Sequence, residues 1–337
     1  MKPRVTIAFV FNESLSLTIS CLECLIDKTE LGTYELICVD NNSPESISSR
    51  LQQLAINHNF TLIRSNQYLT QNESRNIALR QVQTEYIVFV DNDVEVNANW
   101  LGPLVSCADE TGAWLVAPLY MESIKGKLSV HMYGGECDFQ DELGSPCFFE
   151  KHIASHAAPE TITPLIRHES NLVEFHTLLI NMDAFYTLGE LDEKLLNNSQ
   201  HTDLCYSVRR AGHRIFIEPL SVITHMRPEG RLERVDKEYY SLRWSEGWSE
   251  KTLDRLSEKY FIPLNEPGMK KLRWWLSFHR QACIAEYPVL RKVFGNRFHN
   301  IFRKYIGLGL ERKINYWKYP VVKYAHKRIF EVERISK

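Results

Sequence analysis

The stretch FVDNDVEV (89–96) ends an unbroken apolar run on two acids one residue apart, Asp91 and Asp93. Carboxylates at the edge of a buried sheet are costly unless they meet a cation or a hydrogen-bonding partner. A hard divalent ion bridging carboxylate and phosphate oxygens answers that need, and Mg2+ or Mn2+ suits oxygen ligands. A solvated acidic turn is the plainer alternative. A second apolar run, ELICVD, also closes on an acid, Asp40. Its carboxylate can accept hydrogen bonds from ribose hydroxyls or base N–H groups. It can also cap the following helix, although Ser43 fills that role better. A third stretch, NSQHTDLCYSVRRAGHRI (197–214), sets His201 and Asp203 at the head of an amphipathic run. A helix cap and a general base are both open readings of this pair.

The elements around these residues must bring them to one edge. VTIAFVF (5–11), YELICVD (34–40), TLIRSN (61–66), EYIVFVDND (85–93) and AWLVAPLY (113–120) read as strands. Helical periods separate them. This alternation predicts a mostly parallel sheet with helices on both faces. Ligands of such sheets bind beyond the carboxyl ends of the strands, where Asp40, Asp91 and Asp93 fall. From 121 to 170 the rhythm breaks into a small hairpin and a polar loop. It resumes with a strand and short helix over 172–195, the helix after Asp203, the strands RIFIEP and SVITH, and helices to about 260.

Composition bounds the rest. The chain has 337 residues, 44% hydrophobic and 24% charged, which is enough for a large buried core. No apolar run approaches the ~20 residues needed to cross a bilayer. The apolar N-terminal run lacks a small-residue cleavage site and reads as a buried strand, so a cytoplasmic location is expected. The 8 cysteines include one CxxC, Cys21 and Cys24, inside a helical pattern and without a second pair at zinc spacing. They read as reduced core thiols. No GxGxxG follows the first strand and no GxxxxGK[ST] occurs, which weakens a dinucleotide or P-loop reading.

Taken in order, AFVFN, ELICVDNNSPES, NESRNIALRQ, YIVFVDNDVEV, NWLGPL, LLINMDAFYTLGELDEKL, TDLCYSVRRAGHRIF and ITH resemble the family 2 glycosyltransferases. The resemblance covers about residues 4–248. It implies the GT-A fold, a Rossmann-like α/β architecture, with an α-helical C-terminal extension. It also implies a nucleotide-diphospho-sugar donor, most often a UDP-sugar, a divalent ion (Mg2+ or Mn2+) and usually inversion at the anomeric carbon. Carried over by position, Asn12, Asp40, Arg75 and Asp91 are expected beside the donor nucleotide. Asp91, Asp93 and His225 are expected at the metal. Relatives often carry Glu-Asp-x-Asp-Leu before the helix at 203, with the second residue as base. Here the run is Gln200-His201-Thr202-Asp203-Leu204, so His201 stands at the base position. His201 as base, Asp203 as base, and neither are all open.

The prolines and glycine of IPLNEPG (262–268) read as a linker between a catalytic domain, 1–261, and a basic, aromatic-rich helical region, 269–337. Residues 270–337 carry 17 Lys and Arg against 4 Asp and Glu. Such a segment fits the surface of an anionic membrane, at its cytoplasmic face. Packing against the acidic body is the alternative, and nothing in that body supports nucleic acid as a partner. The expected acceptor is a glycan, a lipid-linked molecule or another hydroxyl compound, in cell-envelope or polysaccharide synthesis. Two other classes remain: a catalytically weak nucleotide-sugar-binding or scaffold protein, and a nucleotidyltransferase, which the missing glycine-rich loop disfavours.

Overall fold

The computed structural model describes residues 2–124, 126–226, 232–281, 292–293, 295, 308–319 and 333–335. Most of the basic region after 281 lies outside the described residues. The N-terminal half alternates as expected: β1 (Val5–Val10), α1 (Thr18–Lys28), β2 (Tyr34–Asn41), α2 (Glu45–His58), β3 (Thr61–Ser65), α3 (Gln71–Leu79) and β4 (Tyr86–Asp91). β1 and β4 are buried at every position, as apolar strands covered on both faces must be. The helix ends follow local chemistry. Thr70 and Glu73 form a reciprocal capping box at the start of α3, and Asn59 closes α2 in the left-handed conformation.

Next come β5 (Val94–Val96), α4 (Leu101–Thr111), β6 (Leu115–Ile124), β7 (Lys127–Met132), β8 (Gly135–Gln140), β9 (Pro146–His152) and β10 (His168–Glu169). The chain continues through β11 (Thr177–Asn181), α5 (Met182–Leu188), α6 (Gln200–Arg210), β12 (Ile215–Met226), α7 (Lys237–Arg243), α8 (Glu246–Tyr260) and α9 (Pro267–Gln281). Beyond these are α10 (Leu308–Lys318) and β13 (Glu333–Ile335). The main sheet runs β10-β12-β6-β11-β4-β1-β2-β3-β13, with β5 on β12 and β7 on β6. β1 to β4 are mutually parallel, and the chain reverses direction across the sheet between β3 and β4. That reversal opens a crevice beyond the carboxyl ends of β1 and β4.

Three details differ from the expectations. The single hairpin expected after 121 is two: β7 folds back on β6, while β8 and β9 form a separate two-stranded sheet. RIFIEP and SVITH are one strand, β12, with a register shift between Glu218 and Val222 where Pro219 interrupts the ladder. The three-residue β5 was hidden because it is shorter than any periodic signal. It nonetheless sets the site, as its pairing with β12 places His225 opposite Val94.

A second core, beside the sheet, joins Leu253 and Leu256 of α8, Ile262, and Met269, Leu272 and Leu276 of α9. One hydrophobic cluster therefore runs across 262–268. α9 also rests on the β8–β9 hairpin, and the contact is close. A Cβ on Gly268 would stand 1.8 Å from the carbonyl oxygen of Phe148. Backbone cannot yield as a flexible side chain can. We predict that Gly268→Ala lifts α9 off the hairpin and costs about 1–3 kcal/mol. The check is a urea titration, with a lower midpoint at an unchanged slope. An unaltered midpoint would refute the docking.

Candidate active site

The carboxyl ends of β1 and β4, the first turn of α6, β9, β12, α7 and α9 surround a cavity of about 1100 Å3. Asn12 and Asp91 stand at its floor. Asn12 donates to Asp91 Oδ2 at 3.1 Å, and the Arg75 guanidinium donates to Oδ1 at 3.1 Å. Arg75 is itself buried and lies over the ring of Phe175, 4.0 Å from its centroid. Burial works against the charge of Asp91, but Arg75 and His176 outweigh it and hold its carboxyl below the usual range. Asp91 is thus fully engaged by protein groups.

Asp93 is treated in the opposite way. It is 0% exposed, and among the described residues no partner side chain donates a hydrogen bond to either of its oxygens. Burial and the nearby Asp91 push its pKa up to about 6. His225 Nε2 lies 3.5 Å from Asp93 Oδ2. The register explains this placement: β5 and β12 pair next to Asp93, and Met226 N–H donates to the Asp93 carbonyl at 2.7 Å. His176 completes a set of one carboxylate and two imidazoles able to meet on one ion. His176 immediately precedes β11, and the Asp91 N–H donates to the His176 carbonyl at 3.0 Å. The His176 and His225 rings stack at 4.0 Å. An orphaned buried carboxylate facing two imidazoles fits a divalent ion with mixed oxygen and nitrogen ligands. The nitrogen share favours Mn2+ over Mg2+.

The cavity wall holds more titratable groups than the sequence reading named. His131 on β7 bonds Glu174 at 2.7 Å, and Glu174 lies 3.5 Å from His176 and 3.6 Å from His152. His152 reaches Glu150 at 3.1 Å, and Glu150 lies 3.4 Å from His201. A chain of alternating carboxylates and imidazoles therefore links Asp93 to His201. Burial opposes every charge in it, yet the pairing wins at several points. His201 and His152 hold Glu150 down to about 2, and Glu174 with Glu122 raises His131 to about 9. Burial and His225 together lower His176.

The expected site residues divide accordingly. Asn12, Arg75, Asp91, His201 and His225 line the cavity, and Asp93 lies directly behind His225. Asp40 does not line it. That acid ends β2 fully buried, accepts from the Ser43 N–H at 2.9 Å and has Arg64 Nη1 at 3.3 Å. Asp203 also points elsewhere. Lys259 Nζ sits 2.5 Å from its carboxylate and the Tyr260 hydroxyl donates to it, so α8 holds it. Of the two groups at the head of α6, His201 is the one in the cavity.

Sequence reasoning missed His131, Glu150, His152, Glu174, His176 and Arg243. A signal was available for four of them. Glu150-Lys-His152 and Glu174-Phe-His176 both read E-x-H, and period-two spacing puts acid and imidazole on one face of an extended chain. Arg243 gave none. It approaches Asn12 from α7, bonds Glu13 at 2.9 Å and lies over the Trp244 ring.

Residues 6–154 match the family model Glycosyl transferase family 2. Over 153 residues the chain is 24% identical to the Pre-mycofactocin glycosyltransferase of Mycobacterium tuberculosis, covering 45% of this chain and 29% of that protein. The chain spans less than a third of the length of the first curated relatives it matches. Among solved structures, GalNAc-T7 with UDP, GalNAc and Mn2+ superposes with a TM-score of 0.55 at 15% identity, covering 83% of this chain and 58% of that one. The mannosyltransferase PcManGT from Pyrobaculum calidifontis, in complex with GDP-Man and Mn2+, gives 0.50 at 12% identity, covering 94% and 85%. The chain thus has the GT-A fold, and its residues 6–154 are similar to the glycosyl transferase family 2 domain.

Proposed function

We propose that the chain transfers a sugar from a nucleotide-diphospho-sugar to a hydroxyl acceptor in this cavity, with a divalent ion held by Asp93, His176 and His225. The observation that carries the reading is the buried Asp93 carboxylate, without a side-chain donor among the described residues and facing two imidazoles. A bound ion there would neutralise the charge that grows on the departing diphosphate. Arg243 stands beside Asn12 at the cavity floor, suited to the same anion. Arg75 acts indirectly, keeping Asp91 ionised and in place.

Inverting transfer needs a base that takes the acceptor hydroxyl proton as the sugar departs. His201 suits this role, with Glu150 orienting the ring and stabilising the imidazolium that forms. Asp203 is a positioning residue for α6 and α8 in this reading. A UDP-sugar donor and inversion at the anomeric carbon complete it, by likeness to the family. Donor turnover tests it directly. Release of UDP or GDP across a donor panel is expected to fall about 100-fold or more in His201→Ala, consistent with loss of a general base. Asp93→Ala is expected to be inactive, and Asp203→Asn to keep its pH profile. UDP binding by wild type without turnover on any donor would leave only a binding protein.

The metal has a second readout. The Asp93 pKa is raised from 3.8 to about 6, so ionising Asp93 works against the metal-free fold as pH climbs through that window. Ion binding needs the carboxylate, so Mn2+ affinity is expected to rise over the same window. Below pH 6 it falls about tenfold per unit. Calorimetry of Asp93→Asn should show weak binding without that step. A wild-type affinity independent of pH between 4 and 6 would remove Asp93 from the metal.

The acceptor end of the cavity is aromatic. Trp244, Trp274, Trp275 and Phe278 line it, and Trp274 stays 66% exposed. On α10, Trp317 is 83% exposed beside basic residues. Among the described residues no helix is long and apolar enough to cross a membrane. These exposed aromatic and basic residues support docking on an anionic membrane surface, where the cavity mouth meets a lipid-linked envelope acceptor. Flotation of the full chain with anionic vesicles at low salt should succeed, and Trp317→Ala should weaken it. Equal flotation with neutral vesicles would oppose the charge-based reading.

A further inference from the structure

The E-x-H pair on β9 and the first turn of α6 build a second ligand set in the same cavity. Glu150 Oε1 stands 3.1 Å from His152 Nε2 and 3.4 Å from His201 Nε2, and the three ligand atoms lie within 4.8 Å of one another. A tetrahedral ion about 2.0–2.1 Å from its ligands spaces them about 3.3 Å apart. The 3.4 Å between Glu150 and His201, a weak hydrogen bond without an ion, is also the spacing of two ligands of one ion. Both carriers are firmly held. β9 is paired along β8, and α6 is anchored by Asp203 to α8. All three residues line the cavity, so a further coordination position would face its interior.

The set differs from the one at Asp93. It holds no residue in common with Asp93, His176 and His225, and Glu174 stands between the two. The third group of potential ligands, His131, Glu174 and His176, is a weaker candidate. It shares His176, and its His131 is committed to two carboxylates.

We propose that Glu150, His152 and His201 form a second metal site, of the two-histidine, one-carboxylate kind that takes Zn2+ or a similar transition ion. Such an ion would bind whether or not the chain transfers sugars. Its consequence rests on the proposed function: an ion here takes the lone pair of His201 and silences it as a base. Zn2+ would then inhibit, while the ion at Asp93 supports the reaction.

The test is a count of Zn2+ bound to the metal-free full chain, with no sugar donor present. Wild type is expected to take two ions and Asp93→Ala one. Adding either Glu150→Gln or His152→Ala to Asp93→Ala should weaken that remaining ion at least tenfold. In place of Zn2+, Co2+ should give intense tetrahedral visible bands in Asp93→Ala that the double variants lose. A single ion in wild type, or a remaining ion untouched by both added substitutions, would overturn the proposal. Circular dichroism separates loss of a ligand from loss of fold. Failure of sugar transfer with two ions bound would refute the function and leave the site standing.

Discussion

Two carboxylates one residue apart, both buried at the end of a central strand, constrain everything around them. Asp91 and Asp93 repel each other, and water does not screen them. The fold answers with two different environments. Arg75, Asn12 and His176 surround Asp91 and keep it charged. Among the described residues no side chain donates to Asp93, and its pKa is raised. An arrangement that satisfied both acids with protein groups would leave nothing for a ligand. One satisfied and one orphaned acid make a fixed, charged floor beside a position that an ion completes.

Sheet topology turns that local problem into a site. The reversal between β3 and β4 opens the crevice, and β11 enters antiparallel next to β4 to bring His176 opposite Asp91. The bulge in β12 lets one strand pair with β6 at both ends and still meet β5, which sets His225 beside Asp93. None of these placements depends on a flexible side chain finding its partner. Each follows from hydrogen-bond register, and register tolerates no partial slip, because one step turns every side chain to the other face.

The alternating strands and helices of the first half were legible because their periods are long and their apolar runs unbroken. Asp91, Asp93 and His225 could be singled out as candidates for the same reason: they sit at or near strand ends. What escaped detection lies where short elements are held by non-local pairing. β5 has three residues, β10 has two, and the β8–β9 hairpin belongs to no repeating rhythm. Asp203 shows the reverse case. Its position at the head of a helix fits a base, and only the packing of α8 shows its carboxylate engaged by Lys259 and Tyr260. Asp40 too has a partner distant in the chain, Arg64 on the neighbouring strand. A sequence shows which acids are available; partners distant in the chain decide which of them keep a free carboxylate.

That lesson bears on the acid missing from the head of α6. A histidine at position 201 alone would be a weak replacement, because an isolated imidazole adopts either tautomer and several ring orientations. The β8–β9 hairpin supplies the missing carboxylate from another part of the chain, as Glu150 beside His201. Glu150 in turn is tied to His152, and through Glu174 to the groups at Asp93. On the proposed reading, the acid has not been lost but moved from the helix to the hairpin, with an imidazole set between it and the acceptor. The move makes the base depend on the hairpin and on α9, which Gly268 allows to rest directly on Phe148. α9 is then part of the chemistry's support rather than an appendage, which is consistent with the hydrophobic cluster that crosses 262–268.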